Sequence, residues 1–173
     1  MISIVVGTNR PNSKSLKIAT IYQRKLTDKN VPSQLVDLNS LPEDFIFSAL
    51  YKNTGKSEKF NVLSQQLALS QKVIFVIAEY NGSFSGALKA FIDGLPYPSS
   101  LTDKKVALVG LSSGMQGASL ALSHFNDIMS YLGAETLALR VKIPFIEKNM
   151  TEDQFNNPLY EQLIDQQIEK LLA

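Results

Sequence analysis

The chain has no cysteine, no tryptophan and a single histidine among its 173 residues. Without cysteine there is no disulfide, no thiolate metal site and no cysteine nucleophile, so any redox chemistry needs a carrier other than a thiol. One histidine is too few for the usual multi-histidine metal centres, and no metal ligand set is expected. Charge of one sign is also lacking: 17 Lys and Arg against 16 Asp and Glu leave a formal net charge of +1. Neither nucleic acid nor an anionic membrane is therefore expected as a partner. No apolar run approaches the ~20 residues of a membrane span. Strand-type residues begin at Ile2, with no basic then apolar leader, so a cytoplasmic location is expected.

What is present is an ordinary globular composition, 45% hydrophobic and 19% charged. It suits one domain over residues 1–173, with no repeat or linker to divide it. The most apolar stretch, Val73-Ile74-Phe75-Val76-Ile77, reads as a strand buried on both faces. Ala78-Glu79-Tyr80-Asn81-Gly82-Ser83 follows it, with Asn81-Gly82 as a turn that tolerates positive φ. Ile2–Val6 and Val106–Leu111 are two further apolar strands. Gln34–Leu38 and the alternating Leu137, Leu139, Val141 and Ile143 are two more polar ones. Helical periodicity falls between them. It begins after Ser13 or Ser15 as the cap, around Phe60–Leu67, after Ser85, before Gly133, and after the Asn157-Pro158 pair. Residues 39–55 show little periodicity but carry Phe45, Phe47, Leu50 and Tyr51, and read as a long functional loop with room for a short helix.

Five βα repeats imply right-handed crossovers and a parallel sheet with helices on both faces. Central strands are covered on both sides, and edge strands need not be. The order 2-1-3-4-5 puts both mixed strands at the edges, giving a flavodoxin-like three-layer α/β sandwich with a five-stranded parallel sheet. In that order the loops after strands one, three and four lie side by side. The first, Gly7–Ser15, feeds Thr8, Arg10, Ser13 and Ser15 into a helix start, which suits a phosphate; a solvated loop with a capping serine is the plainer alternative. It has neither a Walker A nor a Gly-x-Gly-x-x-Gly pattern. The third carries Gly110, Ser112, Ser113, Gly114 and Gly117, and its glycines would let backbone approach a flat ring.

Gly7-Thr8-x-Arg10-x-x-Ser13-x-Ser15 resembles the phosphate loop of the NAD(P)H-dependent FMN reductase family, which includes quinone, azo-dye and chromate reductases. Glu79-Tyr80-Asn81-Gly82-Ser83-x-x-Gly86-x-Leu88-Lys89-x-x-Ile92-Asp93 is similar to that family's most recognisable motif. Ser112–Gly117 with Leu132-Gly133-Ala134 resembles its third flavin loop and the helix beyond. The similarity covers roughly residues 1–140 in the order the fold requires. Four positions depart from it: Thr8 for a usual Ser, Ala78 and Ser85 for common prolines, and Gly94 for a frequent Trp. Loss of two prolines should loosen the second loop, and Gly94 should remove a ring from the pocket wall or a subunit contact.

The resemblance implies phosphate contacts from Thr8, Arg10, Ser13 and Ser15. It implies ring contacts from Glu79, Tyr80, Asn81, Gly82 and Ser83, with Ser112 and Gly117 on the other side of the ring. FMN is the implied cofactor, NADPH or NADH the reductant, and a small-molecule electron acceptor the second substrate in a ping-pong scheme. No catalytic side chain is required, because the flavin carries the chemistry. A homodimer or tetramer is also implied. His124 reads as a boundary packing residue. Asp93 reads as a structural hydrogen-bond partner, and Arg140 as a solvated or interface residue. A flavodoxin-type electron carrier and a flavin-free nucleotide- or phosphate-binding protein share the fold. Carriers present acidic surfaces, against which the +1 charge argues, and the Glu79–Ser83 motif argues against the flavin-free reading.

Overall fold

The apolar runs become the strands of one parallel sheet in the computed structural model, which describes residues 1–173. In chain order the elements begin with β1 (Ile2–Val6), α1 (Lys14–Asp28), β2 (Ser33–Asp37), α2 (Phe45–Ser48) and α3 (Glu58–Ala68). Next come β3 (Lys72–Ala78), α4 (Gly86–Asp93), β4 (Lys105–Leu111) and α5 (Ser119–Tyr131). The chain ends with β5 (Glu135–Thr136), β6 (Val141–Ile143), α6 (Ile146–Asn149), β7 (Met150–Thr151), β8 (Gln154–Phe155) and α7 (Pro158–Leu172). The strand order is β2-β1-β3-β4-β5, with β6 also on β4, as the flavodoxin-like reading requires. No helix is long and apolar enough to cross a membrane.

Strand alternation divides the core in two. The register sets Val5 beside Phe75 and Phe75 beside Leu108, one row across the sheet. That row faces α3, α4 and α5, where Phe125 meets Phe75 edge-on at 4.8 Å and Phe84 at 5.2 Å. The neighbouring row, Ile4, Ile74 and Ala107, packs with α1 and α7 in the second core. β1, β3 and β4 are therefore shielded on both faces, which is why they are apolar apart from the starting lysines of β3 and β4 and the buried Ser3, whose hydroxyl is paired with Gln66 O. Each such side chain contributes about 1.5–3 kcal/mol when taken out of water. Polar chemistry is left to the strand ends.

The fifth strand departs from the alternating pattern read over Leu137–Ile143. Its start, β5, pairs with Lys105 and Val106 of β4, and its end, β6, pairs with Val109–Leu111. Between them the chain leaves the ladder. Gln167 of α7 fills the breach: its Nε2 donates to the carbonyls of Leu108 (3.0 Å) and Leu139 (2.8 Å). Its Oε1 accepts from the Tyr22 hydroxyl at 2.7 Å. Burial, with a smaller push from the Asp165 charge, raises the Tyr22 pKa well above its ordinary value. A side-chain amide thus replaces a strand, a substitution that periodicity cannot reveal.

Residues 39–55 include the short helix that the sequence left room for. They hold α2 and single 3-10 turns at 38–40 and 51–53. Phe45 and Leu50 join the core, while Phe47 and Tyr51 remain 81% and 80% exposed. Gly94 is not at a pocket wall. It is buried against Phe60, whose Cζ would lie 2.4 Å from an added Cβ, so Phe60 occupies the space a larger residue would need. Asp93 pairs with Lys89 one turn earlier, and Arg140 is half-buried. Asn157 and Pro158 cap α7 as read, with Tyr160, Ile164, Ile168 and Leu171 buried.

Gln167→Leu strands two carbonyls and a phenol in the interior. It should cost about 3–5 kcal/mol, since each of the three abandoned polar groups costs roughly 1–3 kcal/mol and the buried leucine recovers part of that. Chemical denaturation of the variant beside wild type measures it.

Candidate functional site

Loop one leaves β1 at Gly7, whose N–H donates to Val76 O at 2.9 Å. Ser13 is the cap of α1; its Oγ accepts from Leu16 N at 3.1 Å, which decides between the two serines. Ser15 lies one residue into the helix, 1% exposed, and its Oγ has no hydrogen-bond partner. The amides of Lys14 and Ser15 donate to no backbone carbonyl. Thr8 is buried, and its Oγ1 accepts from Arg10 N at 3.3 Å, so the loop is braced from within.

Loop two leaves β3 with Glu79 N donating to Leu111 O at 2.9 Å, a rung that reaches the end of β4. Tyr80 and Ser83 exchange backbone hydrogen bonds, Tyr80 N to Ser83 O at 2.7 Å and Ser83 N to Tyr80 O at 2.9 Å. Asn81 (φ 50°) and Gly82 (φ 75°) form the tip between them, the pair of left-handed residues that a tight reversal needs. The Asn81 and Gly82 amides donate to no backbone carbonyl. The Tyr80 hydroxyl meets Thr8 Oγ1 at 2.8 Å, so this ring reaches back to loop one. His124 is not packed at a core boundary. It is exposed on α5, with Nδ1 3.2 Å from Ser83 Oγ.

Ser85, at one of the two positions where a proline is expected, is anchored by its hydroxyl. It is 3% exposed and caps α4 by accepting from Leu88 N at 3.1 Å. Its Oγ also donates to Gly7 O at 2.8 Å. One hydroxyl ties the first loop to the helix after the second, a tether at the position where a proline is expected.

Loop three leaves β4 past Gly110, where an added Cβ would lie 2.6 Å from Gly117 O. Only glycine lets this loop fold back so close to its own strand. Ser112 N donates to Ile143 O (3.1 Å) and its hydroxyl to Gly114 O (2.8 Å).

These loops open on one cavity of about 510 Å³, within the usual size of a small-molecule site. Thr8, Arg10, Ser13, Ser15, Glu79, Tyr80, Asn81 and Ser112 line it together. Gly82 and Ser83 sit outside the lining, at the tip of loop two. Gly117 is also outside; it packs against the backbone of Ile143 and Pro144. Pro11, Asn12 and Lys14 join from loop one, and Ala78, Leu111 and Ser113 from the strand ends. Ile146 and Glu147 come from α6, beyond the stretch that carried the motifs, where nothing in the sequence marks them.

The donors suit FMN. At one end a helix start offers free amides, a buried hydroxyl without a partner and two cations, Arg10 and Lys14, the complement of a phosphate. At the other, Ala78 and Leu111 supply apolar surface, while loop two supplies the unpaired amide of Asn81, suited to the polar edge of a flat ring.

A family model described as NADPH-dependent FMN reductase matches residues 1–146. A 2-hydroxy-1,4-benzoquinone reductase of a Burkholderia species is 30% identical over 134 residues, 76% of this chain and 70% of that one. A subunit of an NADH:(hydroxy)cinnamate reductase of Vibrio ruber is 28% identical over 128 residues. That match takes in 72% of this chain but 60% of the relative, which is thus substantially longer than the shared region. Among solved structures, the flavoenzyme NAD(P)H:(acceptor) oxidoreductase FerB of Paracoccus denitrificans superposes with a TM-score of 0.70 at 24% identity. The match covers 98% of this chain and 97% of that one, a likeness of fold.

Ser85→Ala removes both the α4 cap and the donor to Gly7 O. A cost of about 1–3 kcal/mol is expected, the range for a lost cap plus a stranded buried acceptor. Thermal unfolding gives the stability, and faster hydrogen exchange at Leu88 would locate the damage at the α4 start.

Proposed function

The chain belongs to the NADPH-dependent FMN reductase family, and from that premise we propose that it uses FMN to oxidise NADH or NADPH and to reduce a small quinone-type acceptor. The observation that carries this reading is the buried, unpartnered Ser15 hydroxyl in a cavity shared by three strand-end loops. A desolvated donor without an acceptor costs stability unless a ligand supplies the acceptor. The acceptor class is taken from the relative that reduces a hydroxybenzoquinone.

The flavin, when bound, supplies the redox chemistry, accepting a hydride from nicotinamide and returning electrons to a second substrate. The chain's residues bind and orient. Ser13, Ser15, Thr8 and Arg10 would hold the phosphate, with the α1 dipole adding partial positive charge. Glu79, Tyr80, Asn81 and Ser112 would border the ring, and Gly82 and Ser83 would shape the turn that presents it. The free amide of Asn81 would stabilise negative charge on a reduced ring. Glu79 is assigned a structural part, since hydride transfer needs no base.

A cytoplasmic homodimer or tetramer completes the proposal. A groove of about 520 Å³ between α4 and α5, lined by Ile92, Ile128, Leu132 and the 90% exposed Tyr131 and bordered by Lys89, Asp93 and Asp127, supports self-association.

Purified protein loaded with FMN should be yellow and should oxidise NADH or NADPH when a benzoquinone is added. Flavin binding without nicotinamide oxidation would instead indicate an electron carrier, and failure to bind FMN at micromolar concentration would reject the reading. Ser15→Ala should weaken FMN about ten- to a hundredfold, the equivalent of one hydrogen bond to a charged group, and leave riboflavin affinity near wild type. Fluorescence titration of both flavins measures this.

A further inference from the structure

The rim of the cavity beside α1 carries a charge arrangement that phosphate binding alone does not explain. Lys14 occupies the first turn of α1 and lines the cavity next to Ser13 and Ser15. Its ammonium faces Glu147, at 3.4 Å, and Glu147 lines the same cavity. A cation at a helix start is unfavourable against the dipole, so Lys14 gains nothing from its own helix. A carboxylate at the rim of an anion site is likewise unfavourable unless a cation answers it.

Glu147 is held there by its backbone. Phe145 adopts a left-handed conformation (φ 45°, ψ 49°), which is costly for a bulky aromatic residue and persists only where surroundings enforce it. Phe145 N donates to Gly114 O at 2.9 Å and Ile146 N to Ser112 O at 3.0 Å, so the turn is stitched onto loop three. A second clasp lies one helical turn along α1. Lys17 Nζ donates to Glu152 O at 3.0 Å and pairs with Asp153 at 3.2 Å. Docking of the segment 145–153 on α1 therefore does not depend on the Lys14–Glu147 pair. That pair is free to do something else.

Resting on the flavin reading above, we infer that Lys14 is a phosphate-facing cation held in check by Glu147, so that Glu147 sets how strongly the site prefers a phosphorylated flavin over an unphosphorylated one. A dianionic phosphate at the α1 start draws Lys14 away from Glu147. Affinity for the phosphate is then reduced by the pair that must be broken and by the carboxylate that stays near. An uncharged ribityl hydroxyl makes no such demand. Glu147 thus narrows the gap between FMN and riboflavin, which suits an enzyme that releases flavin or accepts more than one.

Dissociation constants for FMN and riboflavin, from quenching of flavin fluorescence by the intact protein, test this. Glu147→Gln should tighten FMN about two- to fivefold, the scale of a partly exposed charge contact, and shift riboflavin by less than about 1.5-fold. Lys14→Gln should weaken FMN about three- to tenfold and leave riboflavin unchanged. In the double variant the effect of Glu147→Gln on FMN should largely vanish, because the partner it restrains is gone. Lys17→Met should lower thermal stability without moving the FMN-to-riboflavin ratio. Equal shifts for both flavins, or an undiminished Glu147→Gln effect in the Lys14→Gln background, would overturn the inference while leaving the flavin reading intact. Wild-type protein that binds neither flavin would overturn both.

Discussion

The site depends on a single buried hydroxyl. Ser85 Oγ donates to the carbonyl of Gly7 while accepting from Leu88 N in the first turn of α4. Gly7 is where the chain leaves β1, and Ser85 is where it enters the helix after β3. Their hydrogen bond therefore sets the distance between the first two loops. Thr8 and Tyr80 add a second link on the cavity side. The third loop is held differently, by the close approach of Gly117 to Gly110 and by rungs from Ser112 to β6 and α6. Removing polar groups from water at these crossings is tolerable because each one is paired.

The sheet explains why the chemistry sits where it does. β1, β3 and β4 are covered on both faces, so none of their interior positions can carry a free polar group without cost. The parallel arrangement aligns their C-terminal ends and opens the crevice between the loops that leave β1 and β3 in opposite directions. Helix starts point into the same crevice. An anion-binding end and a flat, amide-edged end then follow from topology together with a handful of side chains. What the topology leaves open is the rim, which this chain lines with segment 145–153, clasped to α1 by Lys17 and stitched to loop three by backbone hydrogen bonds.

Much of this was legible in the residues. The continuous apolar character of β1, β3 and β4 and the mixed character of the edges were enough for the strand order, because burial on one face or two leaves a direct trace in composition. The serine-rich start of α1, the Asn81-Gly82 turn and the Asn157-Pro158 cap were legible for a similar reason: each is a local conformational demand met by a few residue types. The break in the fifth strand was not, since Gln167, 28 positions from Leu139, does the work of a neighbouring strand. His124 was read from its place on a helical stripe, but its ring turns outward to Ser83 on another element. Gly94 and Ser85 were read as losses against a family pattern, and each is compensated by a residue remote in sequence, Phe60 and Gly7.

The sequence by itself determined the fold class, the order of the strands, the helix starts and the three loops that had to meet, because those follow from periodicity, burial and turn chemistry over short stretches. Only the tertiary structure decided which side chains share the cavity. It admitted Ser15 as a buried donor without a partner, kept Gly117 for packing, and brought Lys14 and Glu147, 133 residues apart, within 3.4 Å. The physical reason is that a pairing across the fold needs no local pattern: either partner, seen alone in the chain, is an ordinary polar residue on a surface.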